Sequence, residues 1–338
     1  MSHLILHIGH QKTGTTALQF ALKGNSKILK RYGIHYPSSG DHKHAFAAPY
    51  LLDNENAALN RRMNAKGEAI RAKSEKVWAK IVRDCRKSNA STFILSGEGF
   101  WGAPGRPQVA SMRAELSSIA ETAEVVAYLR SPASLFLSRL NQRMRMSQTV
   151  PVVRGHYYRK PISAYADNGF DRVSLQIFDR QSLIKGDIVE DFCERFLPDL
   201  GVPLNRKAIR RTNDSVSAEA MAIINGYDMP NRGLSDRALR SLRIKINTAV
   251  RQADVEVEGF SRPRLLPEVA DAVVAKSTDL IWLRDEFDIC FGDVDYDRVG
   301  ASSDLDLKNL RKISDFCPVD QARLEELSAR VHQQVGVV

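Results

Sequence analysis

The sequence predicts an α/β protein: a doubly wound parallel sheet flanked by helices, with a C-terminal helical lobe. Three observations predict it. Apolar runs of strand length at Leu4–Ile8, Thr92–Ser96, Val125–Leu129 and Val173–Phe178 alternate with stretches of helical spacing, the pattern of successive βαβ units. The first run breaks at Gly9 into a short Lys/Gly/Thr loop and passes straight into a helical pattern. Beyond about residue 205 the strand signal gives way to basic helical segments.

The elements follow in order. Leu4–Ile8 reads as a central strand, since a parallel strand buried on both faces is apolar throughout. Ala17, Leu18, Ala21 and Leu22 then recur at helical spacing. Residues 32–53 read as a loop, carrying Pro37-Ser-Ser-Gly-Asp-His-Lys-His44. Val77, Trp78, Ile81, Val82 and Cys85 lie on one helical face, and Thr92–Ser96 is a strand that ends in Gly97-Glu98-Gly99-Phe100-Trp101. Glu115–Ala123 reads as helix, Val125–Leu129 as a buried strand closed by Arg130-Ser131-Pro132, and 134–146 as helix. Val173–Phe178 is the fourth strand, and Ile188, Phe192 and Phe196 mark the helix after it. Leu239, Leu242, Ile246 and Ala249 give the later helical region its apolar face. The division expected is an α/β core over 1–205 and a helical lobe over 206–338, packed on the same domain.

Composition narrows the classes. With 43% hydrophobic and 26% charged residues over 338 positions, the chain can bury a substantial core, so disorder is not the default. No apolar run nears the roughly 20 residues that span a bilayer. The N-terminus enters the first strand without a leader pattern, which predicts cytoplasmic residence. Cys85, Cys193, Cys290 and Cys317 lack metal or redox spacing and read as reduced thiols. A net charge of +9 predicts an anionic partner. No RNP, zinc-finger or helix-turn-helix signature appears, so a phosphate-rich nucleotide or an acidic acceptor is expected rather than nucleic acid.

The first loop is a phosphate cradle by layout: strand, glycine turn, then the free N–H groups of a new helix. A nucleotide-hydrolase P-loop reads G-x-x-x-x-G-K-[ST]. Gly9-His-Gln-Lys12-Thr13-Gly14-Thr15-Thr16 keeps the glycine spacing but places the lysine two residues before the second glycine, with Thr15 at the usual lysine position. Such hydrolases also hold Mg²⁺ with an Asp at a strand end, where this chain has Arg130. The pair therefore suits a nucleotide with an anionic leaving group, handled with no metal expected.

Together these motifs resemble the sulfotransferase superfamily, whose donor is 3′-phosphoadenosine 5′-phosphosulfate (PAPS). Lys12-Thr-Gly-Thr-Thr16 is similar to its phosphosulfate loop. Arg130-Ser-Pro-x5-Ser138 is similar to its 3′-phosphate motif, and it lies 118 residues after Lys12 (130 minus 12). Tyr32-Gly-Ile-His-Tyr-Pro37, Ile94-Leu-Ser-x-Glu98, the segment 173–179 and Arg211-Thr-Asn-Asp-Ser-Val-Ser217 extend the resemblance to bacterial members related to carbohydrate sulfotransferases.

The resemblance implies a P-loop-like fold and sulfuryl transfer to a hydroxyl or amine of a glycan, glycolipid or small-molecule acceptor, with membrane-surface contact left open. It assigns Lys12, Thr13, Gly14, Thr15 and Thr16 to the 5′-phosphosulfate, and Arg130 and Ser138 to the 3′-phosphate. Arg210 or Arg211 would reach the same phosphate. Lys12 would stabilise the leaving group. His44, Glu98 and His42 are candidates for the general base, in that order.

Competing readings use the same residues. His42 and His44 serve equally as exposed loop residues, and Glu98 as a brace for Gly97–Gly99. The basic segments 61–87 and 232–251 are either solvated helix faces or a device that draws in an anionic donor or acidic glycan. His7-Ile-Gly-His10 spells an aminoacyl-tRNA synthetase signature, but His7 falls inside the strand pattern and the matching lysine-rich motif is lacking. Two rival functions remain: a kinase or NTPase with a displaced lysine, and a basic nucleotide- or nucleic-acid-binding module without catalysis.

Overall fold

The computed structural model describes residues 1–40, 44–53, 57–102, 105–201, 204, 215–227, 236–302, 305 and 309–335. Its centre is one all-parallel sheet of β1 (His3–Ile8), β2 (Ile34–His35), β3 (Thr92–Gly97), β4 (Thr122–Leu129) and β5 (Arg172–Ile177). The strand order is β2-β3-β1-β4-β5. β1 is the middle strand, and neither of its neighbours is the next strand in sequence. Leu4, Ile5, Leu6 and Ile8 are all buried, as expected of a strand covered on both faces.

Connecting elements are α1 (Thr15–Gly24), α2 (Ser26–Arg31), a 3₁₀ turn (His44–Ala47), α3 (Ala48–Leu51), α4 (Ala57–Met63), α5 (Glu68–Arg86), α6 (Arg106–Leu116), α7 (Pro132–Ser147), α8 (Arg159–Ala166) and α9 (Ile188–Phe196). The remaining helices are α10 (Ala218–Gly226), α11 (Asp236–Glu256), α12 (Pro267–Ala275), α13 (Asp279–Phe287) and α14 (Gln321–Val335). On one face of the sheet, Ile5, Ile94, Val126 and Tyr128 pack with Leu18 and Leu22 of α1 and with Ile188 and Phe192 of α9. The buried Tyr128 hydroxyl donates to Asp191 Oδ1 at 2.7 Å, which anchors α9 to β4. Asp187 caps α9 by accepting from Val189 N and Glu190 N.

Two expectations need correcting. The helix expected at Glu115–Ala123 ends at Leu116, and Thr122 and Ala123 already belong to β4. Pro107 starts α6 earlier, and Val109, Met112 and Leu116 supply its buried face. Ala123 and Glu124 instead pair with Leu4 and Ile5 of β1. Residues 32–53 are not wholly loop, since they contain β2, a 3₁₀ turn and α3. A two-residue strand has no readable period; Ile34 and His35 are held by pairing to Thr92 and Phe93.

The chain forms two compact units. The first comprises Met1–Ser131, Tyr157–Arg210 and Ile281–Gly292, and contains the sheet. The second comprises Pro132–His156, Arg211–Leu280 and Asp293–Val338. Its core joins Phe136 and Leu140 of α7 to Met221, Val250, Val273 and Leu327 of α10, α11, α12 and α14. Within that unit the buried Arg323 guanidinium holds Glu219 at 3.1 Å and Asp254 at 3.0 Å, and Ser217 caps α10. No helix among the described residues is long and apolar enough to cross a membrane. The buried Cys85 and Cys317 thiols are pushed up to about 12 by burial, and none of the four cysteines is bridged.

The end of β3 is packed backbone against backbone. A Cβ on Gly97 would lie 2.6 Å from Ala45 N and 2.8 Å from Ala45 Cα, so only glycine lets the 3₁₀ turn close on the strand. Gly97→Ala is expected to cost about 1–3 kcal/mol by overpacking. Denaturant unfolding should show this as a lowered midpoint at an unchanged slope.

Candidate functional site

The sheet register aligns three strand ends. His7 lies beside Ser96 and Ile8 beside Gly97, and the Gly9 N–H continues the ladder to Gly97 O at 3.1 Å. β4 flanks the other side of β1, with Arg130 immediately after it. The chain leaves β1 toward β2 on one side and reaches β5 on the other. The carboxyl ends of β1 and β4 therefore bound a topological switch point, where open α/β sheets bind ligands.

The loop between β1 and α1 is wound tightly. Lys12 has φ 64°, a left-handed conformation uncommon for a residue with a side chain, and Gly14 has φ 71°. Thr13 turns its hydroxyl inward and donates to His10 O at 2.7 Å. Arg130 Nη1 donates to the Lys12 carbonyl at 3.1 Å, tying the end of β4 to the loop. The Tyr158 hydroxyl donates to Arg130 O at 2.7 Å and fixes the other end of that residue. His10 stacks edge-on against Trp101, with ring centroids 4.5 Å apart, and Tyr158 lies 5.9 Å from it.

The loop hands the chain to α1 with no side-chain cap, so the amides of its first turn carry their partial positive charge uncompensated. Thr15 is buried, and its hydroxyl has no hydrogen-bond partner among the described protein atoms. A Cβ on Gly9 would sit 2.7 Å from Thr15 Cγ2, so this residue must be glycine for the helix start to fold over the strand end. A Cβ on Gly14 would press on Phe178 and Ile188 at 3.0 and 3.1 Å. An uncapped helix start, an orphaned buried hydroxyl and a half-buried lysine in one loop fit an anionic group. Glu98 is exposed at the end of β3, and its Cγ would lie 3.2 Å from that same Gly9 Cβ, which places it against the loop.

Beneath the loop lies a buried polar network centred on Ser96. His7 Nδ1 meets Ser96 Oγ at 2.8 Å, and Gln19 Nε2 donates to Ser96 O at 3.1 Å. The Ser96 N–H donates to His44 Nδ1 at 3.0 Å, and His44 Nε2 lies 2.8 Å from Pro37 O. Because Nδ1 accepts, the ring proton sits on Nε2 and is donated to Pro37. Burial pushes the pKa of His44 down to about 4 and that of His7 to about 3. Both nitrogens of His44 are engaged by backbone, so it has no open position from which to take a proton from an acceptor.

The site residues expected from sequence divide accordingly. Lys12, Thr13, Gly14, Thr15, Thr16, Glu98 and Arg130 gather at the β1, β3 and β4 ends of the first unit. Ser138 is half-buried on α7 in the second unit. His42 and Arg211 lie outside the described residues. Sequence reasoning missed Tyr158 and the pairing of His10 with Trp101; neither tyrosine nor tryptophan stands in a recognisable motif, and only the fold brings them to the loop. Comparison with family models, with curated proteins and with solved structures returns no significant match.

The buried histidines make stability acid-sensitive. The unfolded chain binds a proton at each below about pH 6.5, whereas the folded protein holds them neutral down to about 3 and 4. Stability is thus full above pH 6.5 and declines on acidification by about 1.4 kcal/mol per pH unit per histidine, until the pH nears the folded values. Melting followed from pH 7 to 4.5 should show this decline. His44→Gln should lower the melting point at pH 7 yet show a shallower acid slope; an unchanged slope would mean His44 contributes nothing to it.

Proposed function

We propose that the protein transfers a sulfuryl group from PAPS to a hydroxyl or amine of a carbohydrate-like acceptor. One observation carries the reading: the Arg130 guanidinium bonds the Lys12 carbonyl, so the two motifs that resemble the donor loop and the 3′-phosphate motif meet at the switch point. When bound, the donor supplies an activated sulfuryl group and an anionic leaving nucleotide.

The chain's own residues do the rest. The first-turn amides of α1 and the Thr15 and Thr16 hydroxyls hold the 5′ oxyanions. Lys12 places its ammonium where charge develops on the leaving oxygen, electrostatic help fixed in advance by the loop. Arg130 pairs its guanidinium with the 3′-phosphate, for which a planar fork of donors is well suited. Glu98 is the preferred general base, because its carboxylate is exposed beside Gly9 whereas His44 is committed to Ser96 and Pro37. His10, Trp101 and Tyr158 form an aromatic wall beside the loop that excludes water.

3′-Phosphoadenosine 5′-phosphate (PAP) is expected to raise the melting temperature, while ATP and 5′-AMP do not. Stabilisation by Mg²⁺–ATP alone would favour the kinase reading. Weak binding that falls steeply with salt and ignores the 3′-phosphate would favour a nucleic-acid module. Arg130→Ala should weaken PAP about 10–100-fold, the loss of a charge-assisted hydrogen bond. An intact PAP shift in that variant would refute the assignment. Lys12→Ala should lower turnover at least about 100-fold with the fold retained. Glu98→Gln should lower turnover about 100-fold or more with PAP affinity kept. Full turnover in Glu98→Gln would remove it as base.

A further inference from the structure

The second unit carries a cluster of arginines that the sulfuryl-transfer reading leaves unused. Two hydrogen bonds clamp α7 to α11: Arg243 Nη1 donates to Met146 O at 3.1 Å, and Asn247 Nδ2 donates to Arg145 O at 3.1 Å. Arg243, Asn247 and Arg251 recur at four-residue spacing and so share one stripe of α11. The backbone of Arg145 on α7 meets that stripe through the same clamp.

The chemistry of the cluster is incomplete. The Nε groups of Arg145 and Arg243 are buried, and neither has an acceptor among the described protein atoms. The Oδ1 of Asn247 is buried too, with no donor. Among the described residues, no carboxylate makes an ion pair with Arg145, Arg243 or Arg251. In the same unit, by contrast, Arg298, Arg323 and Arg330 each have carboxylate partners. The nearby acids are already engaged: Asp254 with Arg323, and Glu256 with Arg330. Burial pushes the pKa of Arg145 down, and the charge of Arg251 adds to it in second place. A buried guanidinium N–H without an acceptor is costly, and the half-buried Arg145 and Arg243 each keep one such group.

We propose that Arg145, Arg243, Arg251 and Asn247 form a second anion site that takes a tetrahedral oxyanion, the phosphate group of a small phosphorylated ligand. Guanidinium N–H groups on two helices supply a convergent fork for such oxygens. Asn247 Oδ1 accepts from the P–O–H of a hydrogenphosphate or from a neighbouring hydroxyl of its ester. The site draws on no residue of the Lys12 loop and does not depend on the sulfuryl-transfer reading.

Thermal melting of the full-length protein with millimolar inorganic phosphate, against chloride at matched ionic strength, tests this. Wild type should be stabilised by phosphate beyond chloride. Measured in an Arg130→Ala background, which removes the phosphate contact proposed for the donor site, that increment should persist, be lost on adding Arg145→Gln or Arg251→Gln, and be restored in part by Arg251→Lys. Without phosphate, Arg251→Gln should melt at or above the wild-type temperature, because it relieves repulsion and its side chain is exposed. No phosphate-specific increment in wild type would overturn the proposal. So would an increment that survives both Gln variants, or one that disappears in Arg130→Ala instead.

Discussion

Everything at the candidate site depends on β1 being paired on both sides by strands other than the next one in sequence. With β3 on one edge and β4 on the other, Gly9, Glu98 and the residue after Leu129 emerge at one end of the sheet. Residues about 118 positions apart (130 minus 12) thereby come within hydrogen-bond distance. Parallel pairing also buries β1 on both faces, so its position is fixed by apolar packing before any polar group contributes.

The network around Ser96 adds direction to that packing. One residue of β3 holds a histidine of β1, a glutamine of α1 and a histidine of the 3₁₀ turn, each through a different atom or bond. Buried hydrogen bonds of this kind contribute modestly when made and are expensive to leave unmade. The result is a hydrogen-bonded floor under a loop with left-handed backbone and a Thr15 hydroxyl that has no partner among the described residues. Rigidity below and incompleteness above are the arrangement expected where a ligand finishes the structure.

Much of the frame was legible in the sequence because it rests on local pattern. The apolar runs of β1, β3, β4 and β5 gave four of five strands, and the Gly9–Thr16 spacing marked the loop before α1. β2 was hidden because two residues carry no period and only pairing to Thr92 and Phe93 makes them a strand. Glu115–Ala123 misled because its apolar residues serve two elements, the last turn of α6 and the first pair of β4. His44 looked like a base from its place in a polar loop, but its environment is set by Ser96 and Pro37, contacts that no local reading reveals. Tyr158 reaches Arg130 across 28 residues through the fold alone.

The backbone of Lys12 has a consequence for engineering. At φ 64° a lysine carries a conformational cost of about 1 kcal/mol or more that glycine would not. The side chain thus stands against the preference of its own backbone, with Arg130 holding the peptide in place. Selection for heat resistance alone would favour glycine at this position. It would yield a sturdier protein stripped of the loop's one charged side chain, so stability alone is a poor guide to substitutions at this position.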